Sequence, residues 1–455
     1  MRMRAWYLCV LAACGGGTSS SQLPAWDKTL PASSVMGSWR GLVPARGIVH
    51  LHSPYSHDAC DGKPRAADGT PNEPCLQDLR AALCTTKIDY ANLTDHDASM
   101  ADEEFPTLFN MRGTDQPVMK DGTQIASRIL CDDGHQVLVT VGSENDVMPI
   151  MLDHHVAGTV QQRHDIYNGT DAVSVQAMRD AGSLMWIAHT EQHPKDQLDQ
   201  IAPDGIEVYN LHANIAPDIR STYLGLPASD AIANAAQFAD TNEGGPEPDL
   251  ALISFLEPSA PAITRWNEQL ADGKKLPATA GTDAHENAIP ITLADGERGD
   301  SYRRFLRWFA NIVLVSDPGD PTQIKEALRA GRLFAVFEVM GTPVGFDVHA
   351  GSAELGGEVP VGTNLDVTVP TIRNLDPSLP APEIKATVWR ITSTGPTAVA
   401  TGSGPTLSVP MDQAGAYRVE ISIIPHHLGP YLRDLGTAWA DRELPWIYAS
   451  PIYAR

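Results

Sequence analysis

The chain has 455 residues, more than one hydrophobic core usually organises, so a large domain with a smaller companion is expected. Its composition, 42% hydrophobic and 20% charged, is that of an ordinary soluble globular protein and excludes a disordered or membrane-spanning one. The formal net charge of -23 argues against nucleic acid, whose binding needs Lys and Arg patches, and leaves a small molecule as the expected partner; most of the acidity reads as solvated surface.

In chain order, Arg2 and Arg4 precede a short apolar run, Ala5 to Ala13, too short to span a bilayer as a helix and suited to a signal-peptide core. The run ends in Leu11-Ala12-Ala13-Cys14-Gly15, which resembles the bacterial lipoprotein box. The resemblance implies removal of residues 1–13, a lipid on Cys14, and a secreted protein on the periplasmic or cell-surface side that meets the membrane only through that anchor. Gly15 favours the outer membrane; an ordinary cleaved signal peptide is the alternative. Glycines and serines follow, and residues 14–45 are expected to form a tether. Cys60, Cys75, Cys84 and Cys131 then remain, an even number in an oxidising compartment, so disulfides are expected. Three pairings are possible; Cys60 with Cys75 and Cys84 with Cys131 is preferred because each closes a local loop.

From Arg46 onward β-rich and helical segments alternate. Strands are predicted at Gly47–Leu51, Ile88–Leu93, Val137–Val141, Leu184–Ala188, Gly205–Tyr209, Ala278–Thr282 and Ile312–Val315, with helices at Leu76–Leu83, Val173–Ala181 and Thr322–Ala330. Such alternation suggests a parallel barrel or an open doubly wound sheet. The stretch from Asp240 to Lys275 reads as an insertion near the catalytic face. After about residue 340 the pattern changes to short alternating strands punctuated by Gly, Pro and Ser, the signature of a small antiparallel β-sandwich over 345–455.

The chemistry-bearing residues cluster where predicted strands end. His50-Leu51-His52 follows the first, and in an extended chain both imidazoles point to one side. Later strands run into Thr94-Asp95-His96-Asp97, Gly142-Ser143-Glu144, His189 and Asp283-Ala284-His285. Imidazole and carboxylate are the ligands that zinc, manganese and iron take, and strand C-termini are where barrel enzymes place their chemistry.

These motifs, in this order over residues 46 to 290, resemble the polymerase-and-histidinol-phosphatase (PHP) superfamily of metal-dependent phosphoesterases. The resemblance implies a distorted seven-stranded (β/α)7 barrel at 46–340 holding two or three divalent ions (Zn, Mn or Fe). It carries over His50, His52, His96, Glu144, His189, Asp283 and His285 as ligands, with Glu144 bridging two ions. Another ligand is Asp58, with His57 as alternative, and a further one His155, with His154 as alternative. Asp95 is expected to orient His96 or a water, and His193 and Arg163 to contact substrate. The tail, with Gly415–Glu420 and Pro445–Tyr453, resembles the secreted carbaryl-hydrolase-like branch, although Ser450 stands where that branch has Asn.

The resemblance implies hydrolysis of a phosphate ester by a hydroxide bridging the ions, Glu144, Asp95 and His193 being the catalytic candidates. Cleavage of a carbamate, amide or carboxylic ester is the alternative reaction, since the same nucleophile attacks a carbonyl. A non-catalytic surface lipoprotein with structural metals is the alternative class. No Ser/His/Asp ordering or Gly-rich phosphate loop points elsewhere.

Overall fold

Short runs of apolar residues with almost no exposed side chain form the strands on which the chain is built. The computed structural model describes residues 23–239 and 244–455. The expected signal peptide and Cys14 lie outside the described residues. Strands β1 (Val43–Ile48), β2 (Tyr90–Leu93) and β3 (Gln136–Val141) pair in parallel, Gly47 facing Tyr90 and Tyr90 facing Leu138. Gly47 is required there: a Cβ would sit 1.9 Å from the Tyr90 ring. Strands β4 (Leu184–Ile187), β5 (Gly205–Asn210) and β6 (Ala278–Gly281) form a second parallel run, Trp186 facing Gly205 and Asn210 facing Gly281.

The two runs are joined on both sides. The segment after β3 forms the strand Met148–Ile150, which pairs antiparallel with β4. Strand β7 (Ala310–Val315) pairs antiparallel with β1, and Asn311 donates from Nδ2 to the Ala280 carbonyl at 2.9 Å while its Oδ1 accepts from the Ala280 N–H at 2.8 Å. Leu51 bridges Ala284 in parallel, so the ends of β1 and β6 lie side by side.

The predicted helices are present and their ends follow from capping. Glu73–Thr85 buries Leu76, Leu79, Ala82 and Leu83, and the Asn72 side chain accepts from the Cys75 N–H. Asp171 and Asp320 cap Ala172–Asp180 and Pro321–Ala330 in the same way, and Gly331, at φ 72°, stops the latter. Disulfides join Cys60 to Cys75 and Cys84 to Cys131. No helix among the described residues is long and apolar enough to cross a membrane.

The described chain is thus a mixed α/β protein with a thirteen-stranded sheet and many helices. It departs from the sequence expectation in two places. The large sheet crosses position 340 without a break: the tail strands Gly415–Ile424 and Leu444–Ala449 pair with each other, and the second pairs with Leu333–Val336. Asp347–His349, Asn364–Thr368 and Thr406–Pro410 make a separate three-stranded sheet, and Pro343–Val344 with Thr371–Ile372 a two-stranded one. Residues 23–45 are not a free tether either. Leu30 and Met36 are buried, and Trp26 meets the Tyr431 ring edge-on at 5.1 Å while donating Nε1–H to Asp249 at 2.8 Å. Burying these apolar side chains offsets the entropy of ordering the segment. The stretch read as an insertion supplies the helix Ala260–Ala271, anchored by the buried Trp266.

Candidate metal centre

Each parallel strand runs into residues that cannot be buried alone; those after β2 to β6, with Asp58, line one cavity of about 400 Å³, and His50 and His52 lie buried beneath it. Glu144, after β3, stands between four imidazoles. Its Oε2 lies 3.2 Å from Nε2 of both His50 and His52 and 3.6 Å from Nε2 of His96, and its Oε1 lies 3.3 Å from Nε2 of His189. Asp283, after β6, faces the same group: Oδ1 is 3.4 Å from His50 Nε2, 3.3 Å from His52 Nε2 and 3.3 Å from His285 Nδ1, and Oδ2 is 3.0 Å from His189 Nε2. Asp58 closes the other side, its Oδ2 being 3.2 Å from His285 Nε2 and 3.6 Å from His96 Nε2.

These separations are informative. The Nε2 atoms of His50 and His52 are 3.2 Å apart. Atoms bound to one tetrahedral ion at about 2.0–2.1 Å stand roughly 3.3 Å from one another, so this is the spacing of ligands around shared ions. Three overlapping sets result: His52, Asp58, His96 and His285; His50, His52, Glu144 and Asp283; and His212, Asp283 and His285. Within each set the donor atoms lie within 4.8 Å of one another. Asp283 Oδ1 and His285 Nε2 are buried without a hydrogen bond, a cost of about 1–3 kcal/mol for each such atom that a cation would remove. Donor type, spacing and orphaned atoms together fit divalent metal ions.

The surroundings orient the imidazoles. His50 Nδ1 meets Glu207 Oε1 at 2.8 Å, His189 Nδ1 meets Glu191 Oε1 at 3.1 Å, and Nδ1 of His96 and of His285 meets the carbonyls of Glu144 and Asp283 at 2.9 Å each. A proton on Nδ1 leaves the Nε2 lone pair free to bind metal. Burial pushes the His96 pKa down, but the hydrogen bond it donates to Asp58 and the charge of Glu144 overcome this and carry it up to about 10. Burial likewise works against the ionised Glu144, but the His50 charge and the hydrogen bonds from His189 and His50 together hold that carboxyl well below its ordinary range.

Of the residues singled out in the sequence, His50, His52, Asp58, His96, Glu144, His189, Asp283 and His285 converge here. His193 lines the same cavity, its Nδ1 3.1 Å from Gln197 Oε1. His57 is exposed, with its ring 5.3 Å from that of His96. Asp95 is turned away: its carboxylate accepts from the Ser53 N–H at 2.6 Å and hydroxyl at 2.7 Å, and burial raises its pKa to about 7. It holds the loop after β1 and touches no donor atom of the three sets.

His155 does not join the cluster. Its ring packs 5.2 Å from Phe105, its Nε2 donates to the Glu103 carbonyl at 3.0 Å, its Nδ1 lies 3.1 Å from the Tyr167 hydroxyl, and burial lowers its pKa to about 4. His154 spends Nδ1 on the His155 carbonyl. Arg163 Nη1 donates to the Ala101 carbonyl and does not line the cavity. His212, just past β5, does stand beside the cluster, its Nδ1 3.4 Å from Asp283 Oδ2. Glu207, inside β5, is the other participant the sequence reading passed over.

No family model matches the chain, and no curated protein does. Among solved structures, it is similar to a two-domain protein containing a predicted PHP-like metal-dependent phosphoesterase from Bacteroides vulgatus ATCC 8482, with 13% identity, a TM-score of 0.37, and coverage of 94% of this chain and 99% of that one. It is also similar to PsfC from Pseudomonas syringae PB-5123, with 11% identity, a TM-score of 0.29, and coverage of 59% and 82%. Both likenesses are too weak to carry an argument.

Proposed function

We propose that the protein is a metal-dependent hydrolase of the PHP type that cleaves phosphate esters at a multinuclear centre. The observation that carries this reading is the overlap of three donor sets through Asp283, His52 and His285, which is the arrangement needed for two or three ions held close together. His50, His52, Asp58, His96, Glu144, His189, His212, Asp283 and His285 would hold them. Such ions, zinc, manganese or iron, supply Lewis acidity toward water and phosphoryl oxygens.

The chain's own groups do the rest. Glu207, Glu191 and the carbonyls of Glu144 and Asp283 fix the imidazole orientations. His193, Asn145, Asp146 and Gln192 line the cavity beside the donors, where a substrate would be positioned. Burial lowers the His193 pKa, so it is neutral at pH 7 and offers one donor and one acceptor. In the overall reaction a water oxygen bonds to phosphorus, the phosphorus–alcohol bond breaks, and the alcohol leaves with a proton from the water. The fold fits this reading. On this reading strands β1 to β7, linked through Met148–Ile150 and Asn311, would make up the distorted barrel, and the tail strands an antiparallel sandwich on its sheet. Lipid anchoring at Cys14, with a periplasmic or surface location, belongs to the same proposal.

Metal content measured by mass spectrometry is the test. Purified protein should hold two or three equivalents, and Glu144→Ala or His285→Ala should lose both metal and turnover of nitrophenyl phosphates. A protein that takes up no divalent metal overturns the proposal. A metal-loaded protein that cleaves carbamates or carboxylic esters instead of phosphates overturns the phosphoesterase assignment alone.

A further inference from the structure

Beside the metal cavity lies a second one of opposite character. Its volume is about 460 Å³, and His212 lines both. Among the described residues around it, His212 and Asn287 alone carry polar side chains, and Asn287 already donates its amide to the Asp58 carbonyl at 3.1 Å. Among the described residues, no charged side chain lines it.

Two segments run from one cavity into the other. The helix Leu211–Ile215 sets His212 at the boundary and Ile215 in the apolar chamber. The loop after β6 places Asp283 and His285 in the metal cavity, and residues 287–291 in the chamber. A group seated in the chamber is therefore one side chain away from the donor atoms. The rim leaves Ile232 and Ile291 46% and 45% exposed, and covering such surface is favourable.

We propose that this chamber receives the apolar alcohol portion of the substrate, so that the centre acts on phosphate esters of bulky hydrophobic alcohols, alkylphenols being the simplest. The reaction rests on the phosphoesterase reading above; the choice of alcohol rests on the chamber. The charged phosphoryl group belongs on the ion side, because moving it into an uncharged apolar wall carries a large desolvation cost. The uncharged alcohol portion is the part that fits. In the step itself water oxygen bonds to phosphorus, the phosphorus–phenol oxygen bond breaks, and the phenol leaves protonated.

The experiment compares kcat/KM for phenyl, 4-methylphenyl, 4-ethylphenyl and 4-butylphenyl phosphate, followed by phosphate release. These leaving groups are nearly equal in acidity. The expected result is a rise of up to roughly fourfold per added methylene, flattened in Ala235→Phe, which fills the chamber, and in Ile291→Asp, which charges its rim. Ile291 is exposed, so the second variant keeps the test open if the first fails to fold. Calorimetric titration with 4-butylphenol alone should show binding that each variant weakens at least about tenfold and that Glu144→Ala retains. Turnover indifferent to chain length, with no 4-butylphenol binding, overturns the chamber assignment and leaves the reaction standing. Absence of turnover on every phosphate ester overturns the reaction and the ester class, and 4-butylphenol binding abolished by Ile291→Asp then supports the chamber as an apolar site by itself.

Discussion

Glu207 gives no atom to the three donor sets, yet it decides how His50 meets them. Its 2.8 Å contact with Nδ1 fixes both the tautomer and the tilt of that ring. Glu207→Gln should therefore weaken metal binding about 10–100-fold without unfolding the protein, as measured by competition with a chromophoric chelator alongside circular dichroism. A second residue-level expectation concerns acid. Burial lowers the His427 pKa to about 4, while its Nε2–H donates to the Met340 carbonyl at 2.9 Å. An unfolded histidine takes its proton near 6.5, so between about pH 6.5 and 4 the unfolded chain binds the extra proton. Stability falls through that window as pH drops, by at most about 1.4 kcal/mol per pH unit for this group. Urea midpoints followed across the window should show a shallower slope in His427→Gln. The site itself was largely legible because a polar residue at the end of an apolar run needs a reason to be there. Glu207 carried the same signal, a carboxylate inside the apolar run Ile206-Glu207-Val208, and His212 follows the end of the same strand. His155 shows the limit of that logic. Its place between Phe105 and Tyr167 depends on packing between segments distant in sequence, which spacing does not encode.

At the level of elements, the end of β6 touches the donor sets indirectly. A Cβ on Gly281 would stand 2.0 Å from Glu207 Oε1 and 2.5 Å from its carboxyl carbon. Gly281→Ala should consequently displace Glu207 and lower metal affinity in the same direction as Glu207→Gln, although it alters no proposed ligand; metal titration of the two variants side by side checks this. The strands themselves were readable from apolar runs and the helices from their caps. Partners were not. Alternation in Gly415–Ile424 and Leu444–Ala449 marks them as strands, but a period of two is silent on which sheet edge they join. That edge, Leu333–Val336, is what merges the tail with the main sheet.

For the whole molecule, the proposed ions would tie together six strand ends, from position 50 to position 285. Ions that bind only the folded chain raise its stability, by about 4 kcal/mol at a free concentration a thousandfold above Kd. Stripping them with a chelator should lower the melting temperature, readdition should restore it, and Asp283→Ala should show neither response in differential scanning calorimetry. The N-terminal segment belongs to this scale as well. Its small and polar start reads as tether, and long-range contacts such as those of Trp26 with Asp249 and Tyr431, some two hundred and four hundred residues away, turn it into part of the body.

The Cys60–Cys75 bridge reaches the candidate metal centre through the backbone. Cys60 lies two residues beyond Asp58, its N–H donates to the His285 carbonyl at 2.8 Å, and the Asp61 N–H donates to the Glu286 carbonyl at 2.9 Å. The bridge thus ties the Asp58 loop to the helix Glu73–Thr85, while these two hydrogen bonds join that loop to the one that carries His285. Opened by a reductant, the bridge would leave the Asp58 loop held by non-covalent contacts alone.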